Sequence, residues 1–581
     1  MNTEVRFSED TARGKGSISL GYYISKYKGY IILGTIFTLI ETVVSFIPPI
    51  LLRDILDSAS NSTNIHMINK FKYVLASVLF IFVIRILYRY VFLKFSVRFK
   101  TIEMSNLLYR VFRIDLSTVI LKGPTYYTER ILSAINNIYN LVSNFFINTV
   151  MGSLTILISL VFAFSINFFI GLLFLVLLPL NYFSYKGINR KLQEKCKRLQ
   201  EVSAHSLKNV VNIVQNIEEI KQLTNYGMFA DLCKENFHRL NKENYNVNLY
   251  AKMTSTITST LIEIMKIGVL ILSIYLYILG SFSMANVIFV NMILILYSGA
   301  LTKLNLINIS FRDVRVAIEF IDNEITTLEE IDVGTTELTK VSKLNISIPS
   351  FSYPGTDLCT LHNLQFNLKE GDSVGIVGRS GAGKTTLIKL ITRMYYSDGI
   401  YINGIPSKDF TLESLRNRIY TVSQTPYIFP GTVETNIALA SNNDSEFNVE
   451  DILRLPFVRT LIDELPNGKD TQLGEGGCNL SGGQKQRIML ARLLMQSPDV
   501  VILDEATANI DSATESEFMK VFDKITRNSI VIRISHRLSS LVECEQLYVM
   551  KNGSIIASGS HEELLKDVDE YQDLFKSQSL K

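Results

Sequence analysis

Tryptophan is absent from the 581 residues, so any anchoring at a membrane–water boundary falls to the 27 tyrosines. Cysteine is scarce: Cys196, Cys233, Cys359, Cys478 and Cys544 are odd in number, widely spaced and never in a Cys-x-x-Cys pair. That excludes a disulfide-stapled scaffold and a structural zinc site, and leaves free thiols in a reducing compartment. Charge is thin as well, at 19% of residues against about 25% in ordinary soluble chains. The net charge of +3 is too near balance to argue for a nucleic-acid partner, and none is expected. The polar start Met1–Ser19, with Glu4, Arg6, Glu9, Asp10 and Arg13, does not fit a secretory signal. The first apolar stretch has no small-residue cleavage pattern and reads as a retained membrane span.

The average hides two unlike halves. Residues 1–340 hold 34 Lys/Arg and 25 Asp/Glu, a net +9; the remaining 24 and 30 give residues 341–581 a net −6. The expected division is a transmembrane domain over 1–325, a linker over 326–341 and a second domain over 342–581.

Six stretches approach the roughly 20 apolar residues needed to cross a bilayer as helix. They are Gly29–Leu52, Phe71–Phe95, Val142–Phe164, Phe168–Tyr185, Thr254–Leu279 and Met284–Leu304. Tight, uncharged turns at Ser165–Asn167 and Gly280–Ser283 join the third to the fourth and the fifth to the sixth. The loops Arg98–Asn140 and Lys186–Lys252 are long and basic, so the positive-inside rule puts them in the cytoplasm with both termini. They are periodic and poor in Gly and Pro, which predicts helices running well beyond the bilayer. Pro48–Pro49 is expected to bend the first helix.

Charged side chains within spans are costly and mark functional candidates. Glu41 sits mid-span in the first helix, Arg85 and Arg89 share a face of the second, and Glu263 and Lys266 are three apart in the fifth. Mutual pairing across a bundle and contact with cargo are both open readings. With Asn286 and Asn291, the residues Glu41, Arg85, Glu263 and Lys266 form the candidate substrate cavity.

Beyond Ile325 strands alternate with helices, which predicts an α/β domain. Gly378-Arg379-Ser380-Gly381-Ala382-Gly383-Lys384-Thr385 is a complete phosphate-binding loop between the strand Ser373–Val377 and the helical run Thr386–Leu390. Its glycines let backbone N–H groups face phosphates at a helix N-terminus. Lys384 is expected to reach the β- and γ-phosphates of ATP, Thr385 to hold Mg2+, and Thr386 to line the same site. The apolar strand Val500–Leu503 delivers Asp504 and Glu505 at its end. Asp504 suits Mg2+, and Glu505 suits the role of a base that orients water. Leu480-Ser481-Gly482-Gly483-Gln484 lies between these two motifs.

At that spacing the sequence resembles the ATP-binding cassette (ABC) superfamily over its whole length. It looks like a half-size exporter of the multidrug, lipid and peptide type. The implied fold is an all-α six-helix transmembrane domain followed by an α/β P-loop (RecA-like) nucleotide-binding domain. The resemblance also implies that Tyr353 stacks on adenine, that Gln424 senses Mg2+ and the attacking water, and that His536 contacts the γ-phosphate. Ser481, Gly482, Gly483 and Gln484 would meet the ATP of a partner cassette. Asp511 would end the D-loop, where Ala508-Asn509-Ile510 departs from the family's usual Ser-Ala-Leu. Two cassettes close head to tail in that family, so the implied partner is a second copy of the chain. Coupling helices are expected near Arg113–Val119 and Asn212–Asn216.

The expected function is ATP-driven export of a small amphipathic cargo, such as a modified peptide, lipid or drug, across the cytoplasmic membrane. Import of a siderophore-like cargo on the same fold is an alternative. So is a nucleotide-gated membrane protein that transports nothing, although Glu505 and the Ser481–Gln484 motif are both of the active type.

Overall fold

The computed structural model describes residues 20–579 apart from 60–63, 329, 331, 333, 442–446, 507–509, 536–537, 539–540 and 543. The chain divides into two compact units, 1–330 and 331–581.

Unit 1 is helical. Its long helices are Lys28–Ser45 continued by Ile47–Ala59, then Asn64–Val111, Pro124–Ile166, Phe168–Gln215, Tyr226–Ile278 and Met284–Phe320. At about 1.5 Å per residue, the 53 residues of Tyr226–Ile278 extend roughly 80 Å, well over twice the ~30 Å hydrocarbon core. The long polar loops of the sequence are therefore continuations of helices.

Among the described residues, five helices carry a window long and apolar enough to cross a membrane. The fourth expected span, Phe168–Tyr185, lies within the single helix Phe168–Gln215. The helix carries on into the basic run that begins at Lys186.

The first helix breaks at Phe46, just before the two prolines. Pro48 and Pro49 then fall in the first turn of the next segment, where a missing N–H costs no helical hydrogen bond. Asn167 turns the chain between the third and fourth spans, its side chain accepting from the N–H groups of Phe169 (2.9 Å) and Ile170 (3.4 Å).

Two short helices interrupt the long ones, with bounds different from those expected. Leu116–Lys122 is capped by Asp115 and ended by Gly123 at φ 85°. The second is Ile217–Leu223; residues 212–215 instead finish the preceding long helix. The break falls at Asn216 because Glu218 and Glu219 suit a new helix N-terminus, and Thr224 closes it in the left-handed region.

Aromatic packing fixes the end of unit 1 where the chain enters. Tyr23, Phe95, Phe99 and Tyr127 are fully buried there. Beside them Glu103 accepts from Lys26 Nζ (2.7 Å) and Tyr27 Oη (2.6 Å).

Unit 2 holds the strands β1 (Lys343–Ser352), β2 (Cys359–Lys369), β3 (Ser373–Val377), β4 (Ile400–Ile402), β5 (Ile405–Pro406), β6 (Ile419–Val422), β7 (Gly431–Thr432), β8 (Gln472–Leu473), β9 (Val500–Asp504), β10 (Ile530–Ile534), β11 (Gln546–Lys551) and β12 (Ser554–Gly559). The central sheet runs β12-β11-β3-β10-β9-β6 and is parallel except at β12. The order β2-β1-β4-β5 forms a second, antiparallel sheet. Strands β3, β9 and β10 are buried almost throughout, which explains their continuous Val/Ile/Leu runs. Helices at Val449–Leu453, Pro456–Asp463, Gly482–Gln496 and Ser512–Ile525 pack around Phe457, Phe518, Phe522 and Leu490.

Candidate functional site

In an open parallel sheet, ligands bind beyond the carboxyl ends of the strands. The segment Gly378–Gly383 leaves β3 at that edge and enters the helix Lys384–Ile391. Asp504 ends β9 and lies opposite Ile534 of β10. Gln424 stands two residues past β6, which pairs with β9 through Val422 and Leu503. The sheet register alone thus gathers four chain segments at one edge.

Two glycines of the loop are required by close approach. A Cβ at Gly378 would lie 2.4 Å from the Met550 carbonyl oxygen. Gly383 adopts φ 102°, and a Cβ there would meet Leu361 Cδ2 at 2.5 Å. Only glycine lets the backbone curl this tightly into the helix N-terminus, where N–H groups can meet an anion.

Lys384 Nζ donates to the loop carbonyls of Gly378 (2.6 Å) and Arg379 (3.1 Å). Burial lowers its pKa from the ordinary value, while the carboxylates of Asp504 and Glu505 act in the opposite direction. Gln424 Nε2 donates to Glu505 Oε2 at 2.5 Å. Glu505 itself sits in the left-handed region, at φ 52°, with its N–H donated to the Ile534 carbonyl (2.9 Å). Tyr353 Oη and Thr386 Oγ1 are 2.9 Å apart, and the Tyr353 ring meets Tyr395 edge-on at 5.0 Å. Ser380, Gly381 and Thr385 are exposed at the loop.

The other motif residues form a second cluster. Ser481 caps the helix Gly482–Gln496 by a reciprocal box: its Oγ accepts from Gln484 N–H (3.2 Å) and its own N–H donates to Gln484 Oε1 (3.0 Å). Asp511 caps Ser512–Ile525 through Thr514 N–H (2.9 Å). His536 lies outside the described residues, as do Ala508 and Asn509.

These features recur in known proteins. The model of the ABC transporter domain matches residues 361–508, and that of the ABC transporter transmembrane region matches residues 31–301. The chain belongs to the ABC transporters. It is a multi-pass membrane protein that binds ATP and couples its hydrolysis to transport. It is 28% identical over 465 residues to an ATP-dependent lipid A-core flippase of Methylobacillus flagellatus, covering 79% of this chain and 78% of that protein. It is 40% identical over 240 residues to the multidrug resistance-like ATP-binding protein MdlA of Escherichia coli, 41% of each chain. A bacterial Atm1-family ABC exporter solved with ATP bound has the same fold, with a TM-score of 0.85 at 20% identity over 96% of this chain and 99% of that one.

In the membrane domain the structure brings together two of the six candidate cavity residues. Arg85 Nε donates to Glu41 Oε1 at 2.8 Å. Asn286 lies in the first turn of Met284–Phe320 and donates its N–H to Ser283 Oγ (3.2 Å); Asn291 is half-buried in the same helix. Glu263 is exposed and Lys266 half-buried, and no ion pair joins them; their three-residue offset leaves them about 60° apart around the helix.

Sequence reasoning missed Lys303. It is half-buried, feels the charges of both Glu41 and Arg85, and has its Nζ 2.9 Å from Met151 Sδ. Its place at the end of the sixth apolar stretch was signal enough, by the rule that flagged Glu41. About 26 Å of helix separates it from Asn286.

Proposed function

We propose that the chain is one half of a homodimeric, ATP-driven exporter in the cytoplasmic membrane, with both termini in the cytoplasm. The observation that carries this reading is the cluster at the strand ends: Lys384 in its glycine cradle, with Gln424 hydrogen-bonded to Glu505. Lys384 and the loop N–H groups hold the β- and γ-phosphates. Tyr353 supplies the face for adenine, Glu505 orients the attacking water, and His536 meets the γ-phosphate.

Thr385, Gln424 and Asp504 offer a hydroxyl, an amide oxygen and a carboxylate. This hard oxygen set suits Mg2+, which binds through one or two carboxylates with phosphates and water. When bound, Mg2+ would neutralise charge developing on the phosphates. Ser481, Gly482, Gly483, Gln484 and Asp511 face the ATP of the second copy, so closure of two cassettes completes each site. The short helices Leu116–Lys122 and Ile217–Leu223 pass that closure to the spans.

The cargo is small and amphipathic, a lipid, drug or modified peptide. The pair Glu41–Arg85 balances itself, and Lys303 has no carboxylate within ion-pair distance among the described residues. The group therefore carries a surplus positive charge along the apolar spans, which favours cargo with an acidic group. Flux in oriented vesicles tests the reading. ATP added outside inverted vesicles should drive fluorescent phosphatidylglycerol or an anionic dye into the lumen. ATP-driven movement out of the lumen would establish import instead.

A further inference from the structure

Glu464 belongs to none of the motifs, yet it joins two of them. It follows the helix Pro456–Asp463 and is that helix's C-cap. Its Oε2 accepts from Gln484 Nε2 at 3.0 Å, and its Oε1 accepts from Arg487 NH1 at 3.0 Å. Arg487 is mostly buried and turns NH2 toward Asp511 Oδ2, 3.4 Å away. Gln484 Oε1 is already taken by the Ser481 N–H, so its amide N–H2 is the half left to be oriented. One carboxylate thus spans the N-cap of the Gly482–Gln496 helix and, through Arg487, the N-cap of the Ser512–Ile525 helix.

We infer that Glu464 is a positioning residue for ATP hydrolysis, holding the Ser481–Gln484 segment and Asp511 in a common frame to receive the partner's nucleotide. This rests on the head-to-tail reading above. Charge-assisted hydrogen bonds to a guanidinium and an amide fix both distance and direction. A small misplacement of donors that meet a reacting phosphate is costly in rate. Burial of Glu464 opposes its ionisation, but the hydrogen bond from Gln484 outweighs it, followed by that from Arg487, and the carboxyl is held below its ordinary value. The group is therefore anionic at neutral pH.

The full-length protein in lipid provides the test. Glu464→Ala should lower kcat about tenfold while KM for ATP stays within about twofold, since the phosphate loop lies on other elements. Glu464→Gln keeps one acceptor and should recover part of the rate. Adding Gln484→Ala to Glu464→Ala should cost less than the sum of the two singles, because both break one network. Thermal melting of each variant separates misfolding from lost positioning. A Glu464→Ala protein with wild-type kcat overturns the inference. So do additive effects with Gln484→Ala, or a loss of rate matched by loss of the folded fraction and not relieved in Glu464→Gln. Absence of ATP turnover in the wild type would overturn the transporter reading itself and is recognisable as such.

Discussion

Gln424 donates its side-chain amide to Glu505 at 2.5 Å, linking the segment after β6 to the residue after β9. Glu505 is held from the other side by its own N–H on Ile534 and by a left-handed backbone. The amide thus aims a carboxylate whose main chain is already fixed. Gln424→Ala frees that carboxylate and should lower kcat about tenfold with a small change in ATP affinity. Gln424→Glu sets two carboxylates against each other and should be slower still. Steady-state ATPase assays in lipid read both.

Tyr353 combines a ring and a hydroxyl with separable roles. Tyr353→Ala removes the stacking face and should weaken ATP binding by about 5- to 100-fold, the range of a base–aromatic stack. Tyr353→Phe loses the 2.9 Å contact with Thr386 but keeps the face, and should bind within about threefold of wild type. Titration with a fluorescent ATP analogue distinguishes the two.

Glu41 and Arg85 pair between the first and second apolar spans, with Glu41 mostly covered and Arg85 exposed. Removing either one leaves an uncompensated charge, so Glu41→Gln and Arg85→Gln should each destabilise the protein. The double variant should melt closer to wild type than the sum of the singles, a coupling of about 0.5–3 kcal/mol. Thermal melting in detergent or lipid measures the cycle. Lys303→Gln should in turn reduce stimulation of the ATPase by acidic lipid more than by a neutral dye.

Glu570, mostly covered, accepts from Lys551 (2.6 Å) and pairs with Arg379 of the phosphate loop (3.1 Å). The hydrogen bond from Lys551 is the first cause of its lowered pKa. A carboxyl depressed in the folded state adds stability above its unfolded pKa and loses it as pH falls through the folded one. Glu570→Gln should therefore melt about 1–3 °C below wild type at pH 7, and that gap should close below about pH 4.

Much of the cassette is readable in its sequence because each motif there is local. The glycines of 378–383, the acids at the end of β9 and the Ser481 cap are each set by a few consecutive residues. The membrane helices were visible for the same reason, through long apolar runs. Partners across the fold were not readable. Glu464 meets Gln484 twenty positions on, and Arg379 meets Glu570 across most of the unit. Nothing local to Glu464 or Glu570 distinguishes it from a solvated carboxylate. The helix breaks at Phe46 and Asn216 fall one to a few residues from the expected positions, since hydropathy does not place a break to the residue.

Glu505→Gln tests the central claim most directly. Purified into lipid, this variant should bind ATP with an affinity within about threefold of wild type, while its turnover falls by about 100-fold or more. Binding without turnover is the expected result. A Glu505→Gln protein that hydrolyses ATP at the wild-type rate would contradict the assignment of Glu505 and, with it, the proposed catalytic cluster.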